Sequence, residues 1–412
     1  MKLKRHQIKW IGYGAGLLGG LLLLGALLLL AVRVFPSAGA LGADQLRHVV
    51  GDENVARLEA VLFKVDDGLK SLEFRLGIAK NQTPWATGAT SPSTAFSPAG
   101  QGPATALNRA GKALAGNVNT TLPILPEKKS GIPVTGLWQL KNLPPLGHLA
   151  GEGVWTPYIQ DSQGHVVAYR TFLQPDPSRP YAVVAVVAFN LQATQLHFVL
   201  GTTEPYDKSV TQRASGAISP SDLASGQLIA AFNGGFKVEH GHSGAMANGL
   251  VAVPPKPGLA TLVIDQNGKV KIGAWGVDIN PGENMLAYRQ NGLLIVKDGV
   301  VTPQVDDPKY WGFTISGKTV TWRSAIGLDS TGKVLYYFAG GYLSINTLAS
   351  AISQAGVQTA MQLDINNYWV HFDAIQIVNG NPTPQPLFTD MNQDPSRFLK
   401  PWIRDFFYVT LK

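Results

Sequence analysis

The chain of 412 residues is long enough for two or three average domains, or for one large β-rich domain. It contains no cysteine, which excludes disulfides, thiolate catalysis and zinc sites built from cysteine. The net charge of +7 is confined to the first third: residues 1–130 hold 15 Lys and Arg against 8 Asp and Glu, whereas residues 131–412 hold 19 of each. The larger part therefore lacks the basic surface of a nucleic-acid-binding domain, and no nucleic-acid partner is expected.

The N-terminus combines a basic flank with an uncharged run. Lys2, Lys4, Arg5 and Lys9 precede 22 residues without charge, from Ile11 to Val32. Such a run spans a hydrocarbon core of about 30 Å as a helix. The pattern predicts a cytoplasmic tail (1–10) and a single-pass anchor (11–33), with the remaining chain outside the cytoplasm.

A cleaved signal peptide is the alternative. Ala38 and Ala40 form the small-residue pattern of a cleavage site. The apolar run is nevertheless longer than the roughly 7–15 residues usual in signal peptides, which favours the uncleaved anchor. Both interpretations place the larger part of the protein outside the cytoplasm.

Residues 44–76 have a helical pattern, in which apolar residues recur at steps of four and three: Leu58, Leu62, Val65, Leu69, Leu72 and Leu76. This heptad spacing predicts a short stalk that dimerises, and it is equally consistent with an amphipathic helix resting on its own domain. Residues 77–130 are rich in Pro, Gly, Ser, Thr and Ala, which predicts a flexible linker.

From residue 131 onward, strand patterns dominate. Residues 181–189, YAVVAVVAF, are almost continuously apolar, as in a strand buried on both faces. Three segments have the pattern of a hairpin, in which two apolar runs flank a short polar turn. They are LATLVIDQNGKVKIGAW, LLIVKDGVVT and AIGLDSTGKVLYYFA.

One helix stands out between two strands. SINTLASAISQAG offers Ser344 or Asn346 as an N-cap and Gly356 as the stop. The flanking strands are expected to be parallel, since a helix connects them. Asp364 then falls at the carboxyl end of the second strand, where it either takes part in ligand chemistry or caps the strand.

Two further features have a ligand interpretation and a structural one. Asn233, Gly234, Gly235 and Lys237 follow an apolar strand, and glycines with positive φ would form an anion-binding nest, although Asn-Gly is also a common turn. Arg323 begins a second apolar strand, from which its guanidinium could bind phosphate in a cleft or form a surface ion pair.

Four segments in this order resemble the phosphodiester glycosidase family over about residues 180–410. They are AAFNGGFK, TWRSAIGLD, YLSINTLASAISQAG and AMQLDINNYW. The resemblance implies an α+β domain that cleaves a sugar from a sugar-phosphate diester. It also implies Asp364 and Arg323 as the catalytic residues, with Asp364 as nucleophile or base.

The last segment departs from the family pattern. A characterised member reads Leu-Asp-Gly-Gly-Gly-Ser, whereas here Ile365, Asn366, Asn367 and Tyr368 follow Asp364. The sequence is similar to a bacterial subgroup with LDIN at this place. The expected substrate-binding residues are Asn233, Gly234, Gly235, Lys237, Asn366, Asn367 and Tyr368. The ring of Tyr368 or Trp369 could stack on a sugar, and packing in the core is the alternative.

His240 and His242 offer only two ligands, whereas zinc sites in proteins use three or four, so no metal and no cofactor are expected. Calcium held by carboxylates and carbonyls stays open at this point.

The whole pattern predicts an α+β protein: a mixed β-sheet domain with few helices (131–412), preceded by one transmembrane helix, a short helical stalk and a disordered linker. The expected function is that of a membrane-anchored extracytoplasmic hydrolase acting on sugar-phosphate diesters of exported polysaccharide or cell-wall polymers. One alternative is a non-catalytic carbohydrate- or polyanion-binding module of the cell envelope. Another is a structural envelope protein that forms homo-oligomers through the stalk.

Overall fold

The computed structural model describes residues 42–43, 45–47, 49–79, 83–85, 138–280, 282, 284–307, 310–312, 319–391 and 394–412. The predicted tail, the predicted anchor and most of the predicted linker lie outside these ranges. Within them, every helix is too short or too polar to cross a membrane.

Three sheets dominate the described part of the chain. Sheet 1 has the strand order β1 (Thr156–Gln160), β2 (Val166–Leu173), β3 (Val184–Asn190), β14 (Val334–Leu343), β13 (Thr321–Leu328), β15 (Thr359–Ile365), β11 (Leu294–Lys297), β12 (Val300–Val301). Sheet 2 has the order β7 (Leu250–Val253), β6 (Ala245–Ala247), β10 (Met285–Gln290), β8 (Ala260–Asp265), β9 (Val270–Ala274). Sheet 3 has the order β17 (Asn381–Pro386), β16 (Phe372–Val378), β5 (Leu228–Asn233), β18 (Phe406–Leu411), β4 (Thr194–Val199). The predicted sheet-dominated domain with few helices is confirmed.

The α-helices described in full are α1 (Asp52–Arg75), α2 (Pro220–Ala224) and α3 (Ile345–Gln354), and 3₁₀ turns cover Val238–His240, Pro303–Asp306 and Pro395–Leu399. Of the two predicted N-caps, Ser344 caps α3, because its Oγ accepts a hydrogen bond of 3.0 Å from the Thr347 amide. Gly356 follows the helix with a φ of 70°, as the predicted stop requires.

The almost unbroken apolar sequence of β3 reflects burial on both faces. Val184, Val186 and Ala188 pack in the core beneath α3, whereas Ala185, Val187 and Phe189 face the core shared with the other two sheets. Successive side chains of a strand point to opposite faces, so a strand between two cores has to be apolar throughout.

The three predicted hairpins are confirmed as β8–β9, β11–β12 and β13–β14. The strands flanking α3 were expected to be parallel, and β14 and β15 do run in the same direction. They are not neighbours, however, because each pairs antiparallel with β13, which lies between them. The helical connection therefore crosses one intervening strand.

Helix α1 lies on the domain. Asp67 accepts hydrogen bonds of 3.0 Å from Arg179 Nε and 2.8 Å from the Tyr181 hydroxyl, and Phe74 packs on the Tyr181 ring at 6.0 Å. The heptad positions lie on another face, where five of the six apolar side chains are 40–64% exposed. Further along, Trp85 in the predicted linker packs at 5.7 Å on Phe172, so this residue is part of the domain.

Sheets 1 and 3 meet at the end of β5. The Gly234 carbonyl accepts a hydrogen bond of 2.9 Å from the Asp364 amide at the end of β15, and the Asn233 amide donates to the His371 carbonyl at 3.0 Å. Because Asn233 also pairs with Phe406 at the start of β18, residues 404–405 lie against the same turn. The carboxyl ends of β5 and β15 and the entrance of β18 thus converge.

Candidate active site

The side chain of Asn233 joins the two sheets. Its Nδ2 donates to Ser324 Oγ at 2.9 Å and to the Gly234 carbonyl at 3.0 Å, while its Oδ1 accepts from the Tyr337 hydroxyl at 2.9 Å. With only 5% of its surface exposed, Asn233 supports the site from within the protein, contrary to its expected place in direct substrate binding.

Gly234 and Gly235 allow a buried ion pair to approach the backbone. A Cβ on Gly234 would lie 2.0 Å from Asp405 Oδ2, and one on Gly235 would lie 2.8 Å from Arg289 Cζ. Asp405 and Arg289 are themselves paired at 2.8 Å with both side chains fully buried. The expectation of an anion-binding nest is wrong, because neither glycine has a positive φ and the Gly235 amide already donates to Asp405 at 3.0 Å.

Asp364 is held at the end of β15 by both its backbone and its carboxylate. Its Oδ1 accepts from the Ile365 amide at 2.9 Å, and its Oδ2 accepts from Arg404 Nη2 at 2.6 Å. Burial raises the pKa of Asp364 to about 6, while the positive charge of Arg404 acts in the opposite direction. The carboxyl group therefore titrates close to neutral pH, as a catalytic acid or base often does.

Arg404 provides the cation next to this carboxylate. The same Nη2 atom donates to the Gly235 carbonyl at 2.9 Å, and the guanidinium lies 4.5 Å from the centre of the Trp369 ring. Sequence reasoning missed Arg404. The available signal was a charged Arg-Asp pair at the entrance of the apolar strand β18, and only the pairing of β18 with β5 brings it to Asp364.

A pocket opens over this pair. Its described walls include Asp364, Arg404, Trp369, Asn366 and Lys237, together with Gly312 and Thr321 from sheet 1 and its neighbouring loop. The cavity measures about 50 Å³, which is room for a few water molecules. Two of the predicted substrate-binding side chains, Lys237 and Asn366, thus share the pocket with the predicted catalytic carboxylate.

His240 joins Lys237 in the same wall. Burial, reinforced by the positive charges of Arg47, Arg404 and Lys237, lowers the pKa of His240 to about 3. The imidazole is therefore neutral at physiological pH. A site in which cations suppress protonation of a histidine is suited to an anionic ligand.

Arg323 does not contact the pocket, and its expected role in a cleft is corrected. Its side chain is fully buried and donates to the carbonyls of Leu343 (2.9 Å) and Trp311 (3.1 Å), to Gln362 Oε1 (3.0 Å) and to the Thr319 carbonyl (3.2 Å). Burial lowers the pKa of Arg323 to about 10, which leaves it charged at neutral pH. Through these hydrogen bonds Arg323 links β13 to β14, to β15 and to the Trp311 backbone beneath the site.

Asn367 and Tyr368 are not among the described residues that line the pocket. The Tyr368 amide donates to Asn366 Oδ1 at 3.2 Å, and its ring lies beside Trp369 and 5.4 Å from the Arg397 guanidinium. Tyr368 therefore supports the loop, while the adjacent Trp369 presents its ring to the pocket. Of these two aromatic residues, Trp369 is the one that lines the pocket.

Among the described residues there is no group of three or more His, Asp or Glu side chains that could hold a metal ion. His240 lines the pocket whereas His242 is exposed.

Comparison with protein-family profiles finds a match in the middle of the chain. Residues 226–364 match the profile of the phosphodiester glycosidase family, a span that contains Asn233, Lys237 and Asp364. Comparison with curated proteins finds no match.

Two solved structures share 14% and 9% sequence identity with this chain. One is the catalytic domain of zebrafish N-acetylglucosamine-1-phosphodiester alpha-N-acetylglucosaminidase, auto-inhibited by its pro-peptide (TM-score 0.36, covering 60% of this chain and 84% of that chain). The other is a putative exported protein from Burkholderia pseudomallei (TM-score 0.25, covering 56% of this chain and 74% of that chain).

The profile match confirms the resemblance predicted from the sequence and, because the family consists of hydrolases, the expected enzyme class. Residues 226–364 of this chain therefore resemble the phosphodiester glycosidase family.

Proposed function

We propose that the protein hydrolyses sugar-phosphate diesters at the bond between the anomeric carbon and the phosphate oxygen. The observation that carries this proposal is the Asp364 carboxylate, paired with Arg404 at 2.6 Å in a pocket that also contains Lys237 and the Trp369 ring. An acid, two cations and an aromatic surface match the three parts of such a substrate: the anomeric carbon, the phosphate and the sugar ring.

The reaction consumes one water molecule. The C1–O bond breaks with its electron pair moving to the phosphate oxygen, water supplies the new hydroxyl group on the sugar, and the products are a free sugar, a phosphomonoester dianion and one proton. Because the second pKa of the phosphomonoester is about 6, the leaving group departs without much protonation. The enzyme thus depends less on a general acid than two-carboxylate glycosidases do.

Asp364 acts as the nucleophile at the anomeric carbon or as the base that activates water. Arg404 holds the carboxylate in place and favours its ionised form. Lys237 neutralises the phosphate, and Trp369 offers its face to the sugar ring. Asn366 lies at the same wall, where its amide suits a hydroxyl group.

The substrates that we propose are diesters of exported polysaccharide or cell-wall polymers, reached by a domain held outside the cytoplasm on an N-terminal membrane anchor. The support is the uncharged run from Ile11 to Val32 behind a basic flank. We also propose that the exposed heptad face of α1 joins two copies of the chain, because this face is not the one that packs on the domain.

Isotope labelling tests the reaction directly. A nitrophenyl diester of a sugar 1-phosphate is incubated with the full-length protein in H₂¹⁸O, and the nitrophenyl phosphate formed is analysed by mass spectrometry. We expect no ¹⁸O in the nitrophenyl phosphate, because the oxygen of water goes to the sugar, and no turnover by Asp364→Asn. Label in the phosphate would show cleavage of the P–O bond and contradict the proposal.

A non-catalytic carbohydrate- or polyanion-binding module is the second candidate. The observation in its favour is the replacement of the family's glycines after Asp364 by Ile365, Asn366 and Asn367. Tight binding of a phosphorylated glycan without turnover, unchanged in Asp364→Asn, would support the module over the enzyme.

A further inference from the structure

Arg404 uses only part of its guanidinium within the described structure. Its hydrogen bonds to described residues run through Nη2 alone, which donates to Asp364 Oδ2 at 2.6 Å and to the Gly235 carbonyl at 2.9 Å. Nε is buried and has no hydrogen-bond partner among these residues. A guanidinium carries five N–H donors, so those of Nε and of the other terminal nitrogen, Nη1, are left for an acceptor that a ligand supplies.

The positive charge of Arg404 has one carboxylate in direct contact. Asp405, the next residue, is paired with Arg289 at 2.8 Å. Glu204 interacts with Arg404 through its charge, over a longer distance than a hydrogen bond. Of the described acidic side chains, Asp364 is therefore the one that Arg404 contacts.

The two other cations of the pocket have acidic partners. Arg47, just before α1, is paired with Glu59 of α1 at 2.8 Å, and both belong to a wall of the pocket that the N-terminal helical segment contributes. Lys237 lies 3.8 Å from Glu239. Arg404 is paired too, but with the carboxylate that the proposed reaction uses.

Packing fixes the plane of the Arg404 guanidinium. It lies 4.5 Å from the centre of the Trp369 ring, and only 6% of the side chain is exposed. A guanidinium stacked on an aromatic face keeps its N–H groups in the plane, where they can donate to acceptors at its edge. Arg404, Trp369 and Asp364 all line the pocket, so we expect a ligand in the pocket to supply that acceptor.

The proposed reaction moves negative charge past this group. As nucleophile, Asp364 loses its charge when its oxygen bonds to the anomeric carbon; as base, it loses its charge when it takes a proton from water. In both cases the electron pair of the breaking C1–O bond goes to the phosphate oxygen, and the phosphate changes from a monoanion to a dianion. Negative charge thus leaves the carboxylate and appears on the phosphate.

A cation in contact with the carboxylate alone would oppose this transfer, because it stabilises the charge at the place where the reaction starts. A cation in contact with both groups stabilises the charge before and after the transfer without having to move. The N–H groups of a guanidinium point outward in several directions, so one guanidinium can contact a carboxylate and a phosphate oxygen on opposite sides of the anomeric carbon.

We propose that Arg404 bridges the Asp364 carboxylate and the phosphate group of the substrate, with Nη2 on the carboxylate and Nη1 or Nε on a phosphate oxygen. This role rests on the proposed function for its kinetic part only. Arg404 is then a catalytic residue as well as a support for Asp364, and it lies beyond the segment (226–364) that matches the family profile.

Binding of methyl phosphate, a simple phosphomonoester, to the full-length protein tests the bridge by titration calorimetry. We expect Arg404→Lys to weaken binding by about tenfold or more, because lysine keeps the charge but cannot contact both anions at once. Arg323→Lys is the matched control, since Arg323 is also buried but does not line the pocket, and it should leave binding unchanged. Equal affinity of the wild type and Arg404→Lys would overturn the inference, as would an equal loss in the control.

Nuclear magnetic resonance of the wild-type protein keeps the test decisive if thermal melts show that Arg404→Lys does not fold. The side-chain N–H signals of Arg404 are identified by their through-space contact with the Trp369 ring. Methyl phosphate should shift these signals and leave those of Arg289 and Arg323 in place, because the Nε groups of both donate to acceptors within the protein. Unmoved Arg404 signals at saturating methyl phosphate would refute the inference.

Kinetics separates the bridge from the proposed function. With a series of diesters, we expect Arg404→Lys to make kcat/KM more sensitive to the acidity of the leaving phosphomonoester, a change that a purely structural role would not cause. If the wild type shows no turnover while methyl phosphate shifts the Arg404 signals, the proposed function fails and the phosphate contact stands. If the nitrophenyl phosphate formed in H₂¹⁸O is unlabelled while Arg404→Lys matches the wild type in affinity and in this sensitivity, the bridge fails and the function stands.

Discussion

Burial and the neighbouring guanidinium of Arg404 have opposite effects on the pKa of the Asp364 carboxyl group. Burial raises its pKa to about 6, above the ordinary value of 3.8, although Arg404 favours the ionised form. Because the proposed reaction uses the carboxylate, we expect kcat/KM to rise about tenfold per pH unit below pH 6 and to level off above it. A pH profile of kcat/KM on the diester substrate measures this rise, which is the acidic limb of the profile.

Arg404→Gln provides the control for this profile. Removing the positive charge weakens the opposition to burial and raises the pKa of Asp364 further, so the acidic limb should move to higher pH. A limb that stays in place would show that another group controls the rate.

Gly234 is predicted to be intolerant of any side chain. Gly234→Ala places a Cβ 2.0 Å from Asp405 Oδ2 and 2.7 Å from the Asp405 carbonyl oxygen, so the buried ion pair with Arg289 must shift. We expect a loss of at least about 2 kcal/mol in the free energy of unfolding, together with loss of activity. Chemical denaturation measures the first effect.

Gly68→Ala is the matched substitution in open space. Gly68 lies in α1, and apart from its own stretch of helix no atom of the described residues lies within 4 Å of the added Cβ, so alanine should stabilise the helix by about 0.5–1 kcal/mol. Similar destabilisation by both substitutions would mean that close packing is not the reason for the glycine at 234.

Arg323→Lys should affect stability rather than ligand binding. Lysine cannot reach the four acceptors that the guanidinium of Arg323 reaches, which include the Leu343 and Trp311 carbonyls and Gln362. We expect a loss of about 2–4 kcal/mol in the free energy of unfolding and little change in methyl phosphate affinity. A selective loss of phosphate binding with unchanged stability would restore the role predicted from the sequence.

At the scale of the elements, the regular local patterns were predictable and the pairing between distant elements was not. The hairpins, the continuous burial of β3 and the Ser344 cap follow from patterns within about fifteen residues. The insertion of β13 between β14 and β15 depends on competition among strands of similar composition.

In the candidate site, too, residues with a local sequence pattern were predictable and residues placed by distant contacts were not. Asp364 and Lys237, which the structure places in one pocket, were predicted because each lies at or just after the end of a strong apolar strand and in a family motif. Arg404 and Arg47 were missed, since their place depends on the β5–β18 pairing and on the docking of α1. Arg323 was assigned wrongly because a basic residue at a strand entrance has the same sequence pattern whether it faces a cleft or the core.

The docking of α1 gives a prediction for the element as a whole. Asp67→Ala removes the bonds to Arg179 and Tyr181, so α1 should open from the domain more often. Hydrogen exchange at the amides of residues 52–75 should become at least tenfold faster. Lys64→Ala should leave the exchange unchanged, and equal rates in both variants would show that other contacts hold the helix.

At the scale of the whole molecule, the exposed heptad face predicts association. Leu69 and Leu72 are 40% and 52% exposed in the described structure. If this face joins two copies, light scattering of the full-length protein in detergent should give the mass of a dimer, and Leu69→Glu with Leu72→Glu should give a monomer. A monomeric wild type would refute the proposed dimer and leave α1 as a wall of the pocket alone.

The way in which Asp364 is tied to the Gly234 carbonyl has a practical consequence. The tie runs through main-chain atoms, so it does not depend on which side chains occupy positions 237 and 369. Both positions line the pocket, so randomising them should alter which ligands the cavity accepts without displacing the Asp364 backbone. A mutant library confined to these two positions is the economical starting point for changing ligand preference.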